Sequence, residues 1–341
     1  MTQSELLQEL RANPFVLAPM AGITDRPFRS FMREMGCGIV VTELVSATGL
    51  KYSSDKTLRL MEFDPVQHPI GIQLFGENLD HLSEAARRVE QLGADFVDLN
   101  FGCPVPKVVN RGAGSACLKD LVRLRDTIRA AKSGISIPLT IKIRTGWDQA
   151  SRNSHEVAKV AFDEGVTWVA IHGRTRAAAY TGQADWDYIQ EVKVASPLPI
   201  LGNGDIHTAA RAVERLEVSG CDGVMIGRGC LKNPMIFRQA MRVWRSHKQM
   251  LKTDEPIRLV LERLLAHLES FYDERLTLIQ MRKFASWYSA GYPSAAAFRK
   301  DLFRLQSRSD VLNRIDGFFA EVGELAQNDT SHEPFLMGGH G

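Results

Sequence analysis

The sequence contains no CxxC or CxxH pair; its five cysteines are an odd number, dispersed along 341 residues. That excludes a disulfide framework and a structural zinc site, so no metal is expected, and it suits a reducing cytoplasm. No apolar run reaches the length of about 18 residues that a membrane-spanning helix needs. Residues 1–13 (MTQSELLQELRAN) are amphipathic and lack the basic-then-apolar layout of a signal peptide, so a soluble cytoplasmic protein is expected. An excess of one charge is missing too: 42 Lys+Arg against 40 Asp+Glu leave +2. Any nucleic-acid surface must therefore be local. There is no short-period repeat and no low-complexity tract. What is present is an ordinary 44% apolar share, enough for a large core. The length suits two domains of about 150 residues, or one barrel of about 250 with a small appendage.

Runs rich in branched apolar residues recur at 15–18, 38–42, 70–74, 96–99, 139–143, 168–171, 199–201 and 223–226. Segments of helical spacing, such as 79–92, 120–132 and 154–164, separate most of them. This alternation predicts parallel strands joined by helical crossovers. Gly93, Gly165 and Gly220 stand where helices should end before the next strand. Eight strands in this span predict an α/β fold, a (β/α)8 TIM barrel over 14–245. A dinucleotide-binding open sheet is disfavoured, because no GxGxxG follows the first strand. From 257 onward only helical periodicity appears. Residues 255–272, 276–290 and 294–304 read as three helices of a separate domain over 253–326. The tail 327–341 has no core-forming pattern and is expected to be disordered.

In such a barrel the site lies where strands end and the following loops begin. Just past the predicted strands stand Pro19-Met20-Ala21-Gly22, Thr42-Glu43, Gln73, Asn100 with Cys103, Lys142 with Arg144, His172 with Arg174, Asn203-Gly204-Asp205 and Gly227-Arg228-Gly229. A purely structural barrel has no need of so many polar or glycine endings. The last two turns follow strands seven and eight, the usual phosphate site of this fold. Glycines there let N–H groups approach a phosphate, and Arg228 adds a bidentate contact. Lys142 points into the barrel, either to form a Schiff base or to neutralise charge developing on a cofactor. His172 can donate to a phosphate or to an anionic ring oxygen. Gln73 offers a donor and an acceptor on one planar amide, which suits the edge of a heterocycle. Cys103 sits between Gly and Pro on a long loop, followed by the glycine-rich 111–115 that suggests a lid. A free thiol of pKa about 8.5 is mostly protonated at neutral pH. It can serve as a general acid, or as a nucleophile beside an activating base. The other four cysteines are expected to pack as small hydrophobes.

Together, APMAGITD (18–25), TELVSA (42–47), QLFG (73–76), DLNFGCP (98–104), KIRTGW (142–147), HGRTR (172–176), GNGDI (202–206) and GRG (227–229) resemble the bacterial tRNA-dihydrouridine synthases. The resemblance runs from about 14 to about 304, including MRKFASWY (281–288), and leaves the tail outside. It implies an FMN-dependent reductase, with NADPH as reductant, that saturates the C5–C6 bond of a uridine in tRNA. On that resemblance Pro19, Met20 and Ala21 line the flavin ring. Gln73, Lys142 and His172 contact its polar edge or ribityl phosphate, with Lys142 stabilising the reduced anion. Asn203, Gly204, Asp205, Gly227 and Arg228 hold the phosphate end. Cys103 is the acid that protonates C5 after hydride reaches C6. Asn100, Arg144, Arg174 and Arg176 fall to the uridine and tRNA side.

For the RNA there is also a charge argument. Residues 275–308 hold seven Lys/Arg against Asp301 alone, a net +6 that leaves −4 for the rest of the chain. A basic helical domain on a mildly acidic barrel is the footprint of a phosphate-backbone contact. Arg282, Lys283 and Arg299 are the expected contacts, with Trp287 and Tyr288 in the core. Two other classes stay open on sequence. One is an FMN barrel acting on a free pyrimidine or an enone, which needs no basic appendage. The other is a non-catalytic RNA-binding barrel, which would not keep Cys103, Lys142 and both phosphate turns. A monomer is expected.

Overall fold

The computed structural model describes residues 1–52, 55–246, 255–322 and 325. The expectation for the tail at 327–341 lies outside the described residues. Strands β1 (Phe15–Leu17), β2 (Val40–Val41), β3 (Val45–Ser46), β4 (Ile70–Phe75), β5 (Phe96–Phe101), β6 (Leu139–Arg144), β7 (Val169–His172), β8 (Ile200–Asn203) and β9 (Gly223–Ile226) form one parallel sheet. Its order is β1-β9-β8-β7-β6-β5-β4-β2, and a parallel bridge between Val16 and Ile39 joins the ends into a barrel. β2 and β3 both pair with β4 and form one broken stave, so nine strands occupy the eight predicted places.

Helix α1 (Gln3–Ala12) precedes the barrel. The connections carry α2 (Arg26–Glu34), α3 (Ala47–Lys51), α4 (Asp55–Leu60), α5 (Leu79–Gln91), α6 (Pro106–Val109), α7 (Leu121–Ser133), α8 (Ser154–Asp163), α9 (Trp186–Ala195), α10 (Ala209–Ser219) and α11 (Ile236–Ser246). The glycines read as helix stops, Gly93, Gly165 and Gly220, take left-handed φ values of +84°, +71° and +64°.

One parity of each strand faces the barrel axis. At the closed end it contributes Val16, Val41, Phe96, Trp168, Ala170, Leu201 and Met225, on which Leu6 and Leu10 of α1 pack as a plug. Gly71 lacks a side chain because the Phe96 ring fills the space its Cβ would need. Each large apolar side chain buried this way contributes about 1.5–3 kcal/mol. Higher on the same parity the residues turn polar, with Asn100 in register with Lys142 and His172 with Asn203. The apolar plug thus gives the polar upper layer a rigid floor.

After the barrel come α12 (Ile257–Glu269), α13 (Glu274–Tyr288), α14 (Ala295–Leu302) and α15 (Arg308–Val322). The sequence reading expected three helices. The fourth, α15, buries Val311, Ile315, Phe318, Phe319 and Val322, and Phe318 stacks on Phe298 with ring centres 4.0 Å apart. Trp287 and Tyr288 are buried, as read from sequence. These helices pack on α2: Phe284 stacks on Phe28 at 5.1 Å, and the Tyr272 hydroxyl donates to Asp25 at 2.6 Å.

Candidate active site

The upper end of the barrel encloses a cavity of about 200 Å³. Pro19, Met20, Ala21, Gln73, Lys142, His172, Asn203, Gly204, Asp205, Gly227 and Arg228 all line it, as do Asn100, Cys103 and Arg144. The loop after β1 is shaped locally. Thr24 Oγ1 accepts from the Met20 N–H at 3.0 Å, Asp25 caps α2 through the Phe28 N–H at 3.1 Å, and Glu43 accepts from the Gly22 N–H. The turn after β8 depends on Gly204, whose φ of +129° is one an L side chain rarely adopts. A Cβ at Gly204 would sit 3.2 Å from His172 Cδ2 and closer still to Ala184. Gly229 lets the turn after β9 lie directly on the Ile206 carbonyl, so the two turns form one surface.

Positive charge dominates the cavity. Lys142 Nζ donates to Asn203 Oδ1 at 3.1 Å, and Asn203 is held by donating to the Met225 carbonyl at 2.8 Å. Among the described residues, Lys142, Arg144 and Arg228 have no carboxylate within ion-pair reach. Burial, then the Arg144 charge, lowers the Lys142 ammonium to about 8, against a weaker pull from Asp98. Burial and the charges of Lys142, Arg144, Arg174 and Arg228 hold His172 well below its ordinary value, so it is neutral at pH 7. A cavity lined by several uncompensated, largely desolvated cations is built to receive an anion.

The arginines divide by partner. Arg174 forms a bidentate pair with Asp205, both contacts 2.9 Å, and donates to the carbonyls of Thr181 and Gly182. Burial works to raise the Asp205 carboxyl, but the bonds from Arg174 and the Ala184 N–H bring it below its ordinary value. Asp205 therefore orients Arg174 and shapes the turn, and Arg174, expected on the RNA side, is an internal strut. Arg144 is a tie between loops: it donates to Gly102 at 3.0 Å, Thr175 at 2.9 Å and Ala179 at 2.7 Å. Tyr180 lies below both Arg144 and Arg228, 5.5 and 4.9 Å from ring centre to guanidinium. Nothing in the residue pattern had marked Tyr180. Arg176 sits outside the cavity, stacked on Trp147 at 4.4 Å.

Cys103 is half-buried at the cavity wall, and burial raises its thiol above the ordinary value against a smaller opposing effect of Arg144. The other four cysteines are buried. Asn100, expected to face uridine, accepts at Oδ1 from the N–H groups of Gly102 (3.1 Å) and Cys103 (2.8 Å). The segment read as a lid is anchored here: Ser115 donates through N–H and Oγ to the Cys103 carbonyl at 3.2 and 2.9 Å. Gln73 is buried and its amide already has partners at both ends.

The C-terminal helices rearrange the expected RNA contacts. Arg282 donates to the Leu305 carbonyl at 2.9 Å and Arg299 to Ser289 Oγ at 3.2 Å, both half-buried. Lys283 reaches the barrel, donating to the Gly22 carbonyl at 3.3 Å, with its ammonium lowered by burial despite Asp25 and Glu43. Arg308 pairs with Glu269. The exposed cations of 275–308 with no ion pair among the described residues are Arg275, Lys300 and Arg304. Phe303, 60% exposed, lies between the last two in the chain.

Comparison with known proteins points the same way. A family model described as dihydrouridine synthase matches residues 16–322. The chain is 39% identical over 321 residues to the tRNA-dihydrouridine synthase B of Pseudomonas syringae pv. tomato, spanning 93% of this chain and 95% of that protein. The protein of the same name from Pseudomonas aeruginosa is 39% identical over 310 residues, 91% and 93% of the two chains. That from Vibrio cholerae is 35% identical over 313 residues, 91% and 97%. Among solved structures, the 6-hydroxypseudooxynicotine amine oxidase of Pseudomonas geniculata N1 superposes with a TM-score of 0.54 at 14% identity, a likeness of fold. It covers 68% of this chain and 47% of that longer one.

Proposed function

The chain belongs to the dihydrouridine synthase family, whose relatives act on uridine in tRNA, and from that premise we propose an FMN- and NADPH-dependent uridine reductase with Cys103 as proton donor. The cavity fits such a cofactor. Its surplus cations, Lys142, Arg144 and Arg228, call for an anion, and the turn at Gly204 offers backbone where a Cβ would intrude. Arg228, Asn203 and Gly204 would hold the phosphate end, and Lys142, Gln73 and His172 the polar edge of the ring. Pro19, Met20 and Ala21 would cover its face. A bound flavin supplies hydride transfer, which none of the amino-acid side chains can perform.

The residues do the rest. Lys142 places fixed positive charge inside a low-dielectric pocket, where it is worth far more than in water. Saturating C5–C6 adds hydride to one carbon and a proton to the other. Cys103, kept protonated by its burial, supplies that proton, and the Arg144 charge favours the thiolate left behind. A base inside folded RNA has to leave its stack to reach this depth. The barrel over 14–245 is thus the catalytic domain, and the helices within 253–326 dock RNA through Arg275, Lys300 and Arg304. The observation that carries the reading is the Cys103 thiol on the wall of the same cavity as three uncompensated cations.

The test is Cys103→Ala. It should bind FMN and tRNA and oxidise NADPH at normal rates. Single-turnover flavin reoxidation by tRNA should fall about 10²–10⁴-fold, the usual worth of a general acid. Cys103→Ser should be similarly impaired, since a hydroxyl is the weaker acid. Normal uridine reduction by Cys103→Ala would overturn the assignment. An equal loss of all three activities would reduce Cys103 to packing.

A further inference from the structure

Asp98 lies on β5 inside the barrel, fully buried beneath the cavity, and the reaction as proposed makes no use of it. Its surroundings are nevertheless directional. Oδ1 accepts from Thr140 Oγ1 at 2.6 Å, and Oδ2 accepts from Gln73 Nε2 at 2.6 Å. Gln73 Oε1 in turn accepts from Asn100 Nδ2 at 2.8 Å. Asn100 Oδ1 takes the N–H groups of Gly102 and Cys103, at 3.1 and 2.8 Å.

We propose that Asp98 is a positioning residue: it fixes the direction of this chain through Gln73 and Asn100, and thereby holds the Cys103 backbone, and the thiol with it, at the cavity wall. The argument is one of donor and acceptor roles. The chain ends in two backbone N–H groups that can only donate and in the Asp98 carboxyl, which burial pushes up but whose ionised, accepting form the bonds from Gln73 and Thr140 and the Lys142 charge favour. Between them stand two carboxamides, each of which could point either way in isolation. Only one arrangement satisfies every contact. Reversing either amide sets acceptor against acceptor or donor against donor in a buried site, where an unmet partner is most costly. The flavin-edge residue Gln73 and the loop bearing the thiol are therefore locked to one another, with Asp98 setting the sense.

The catalytic meaning rests on the role proposed for Cys103, but the chain can be tested without turnover. Two readouts suffice: amide hydrogen exchange at Gly102 and Cys103, and the rate of Cys103 alkylation by iodoacetamide, the other cysteines being buried. Asp98→Leu keeps the shape and removes the acceptor, and both rates should rise about tenfold or more while amides elsewhere in β5 stay protected. Asp98→Asn should stay near wild type, its carbonyl facing Gln73 and its NH2 facing the Thr140 hydroxyl.

Should Asp98→Leu fail to fold, the chain can be broken from the other end. Asn100→Asp still accepts from the two loop amides but turns a carboxylate oxygen toward Gln73 Oε1, and both rates should rise. Combining Asp98→Asn with Asn100→Asp permits Gln73 to reverse and every contact to be remade, so the double variant should recover protection. Loop amides unmoved in Asn100→Asp, or a double variant no better than that single one, would overturn the proposal. If Cys103→Ala reduces uridine normally while the exchange results hold, the catalytic role fails and the positioning chain stands.

Discussion

The barrel mouth and the C-terminal helical region both carry arginine and lysine in excess, yet they use them in opposite ways. In the mouth the cations are buried or half-buried, much of their ordinary hydration is gone, and each acts on a neighbour within a few ångströms. On the C-terminal helical region Arg275, Lys300 and Arg304 stand in water, where an isolated charge gains little from one partner but several gain together from a polyanion. Within the mouth a second division appears. Arg174 is compensated by Asp205, whereas among the described residues Arg228 has no carboxylate within ion-pair reach and lies over the face of Tyr180. Burial decides how strongly a cation acts, and its partner decides whether it serves the fold or a ligand.

Two substitutions break that second division most strongly. Arg174→Leu leaves the Asp205 carboxylate without its cation in a site where the two side chains are 4% and 26% exposed. Thermal or urea unfolding of the unliganded protein should show a loss of about 3 kcal/mol, the usual cost of removing one partner of a buried pair. Arg228→Leu should leave that stability unchanged, because no ion pair is lost. It should instead weaken FMN binding by about 1.5–3 kcal/mol, about 10- to 150-fold. Equal destabilisation by both would erase the distinction between strut and ligand group.

The first division is tested by salt. Changing Arg275, Lys300 and Arg304 together to Ala should weaken tRNA binding and lower the slope of log affinity against log salt by about 3. Flavin affinity and NADPH oxidation should not move. An unchanged slope would mean these side chains are merely solvated.

Much of this site could be read from the chain because barrel geometry converts parity into position. Once β6 is read as LTIKIR, Lys142 has to face inward, and the same holds for His172 and Asn203. Asp98 was legible by that rule too, two residues before Asn100 on β5, but its buried partners Gln73 and Thr140 come from other strands. Residue type alone does not reveal which strand will supply a partner. The basic helices were harder. The positive excess of 275–308 is visible in composition, but Arg282 and Lys283 border the buried stripe of α13, which includes Leu278, Met281 and Ala285. Burial took them from the surface and left Arg275, Lys300 and Arg304. Tyr180 sits on a loop with no periodicity at all, and α15 lies beyond the three helices predicted although its apolar spacing is regular.

The smallest expected effect is a fraction of a proton, and it separates the mouth from the surface by pH. In the unliganded protein Lys142 titrates at about 8, below the ordinary 10.5 it has when unfolded. Between those values the unfolded chain holds more protons than the fold, so stability rises with pH through that window. Lys142 thus penalises the unliganded fold below pH 8, where it is charged in both states, and the penalty fades toward 10.5. An anion bound in the cavity reverses the preference, because it favours the ammonium and raises its pKa. FMN binding just above pH 8 should therefore take up part of a proton, and affinity should fall as pH rises through 8. Calorimetry in buffers of different ionisation enthalpy measures the uptake directly. Lys142→Arg, which cannot deprotonate in this range, should abolish both the uptake and the pH dependence of affinity. Exposed Lys300, already in water, should contribute nothing to either when changed to Ala. Proton uptake that survives in Lys142→Arg would place the titrating group elsewhere in the cavity and free Lys142 from the role of anion sensor.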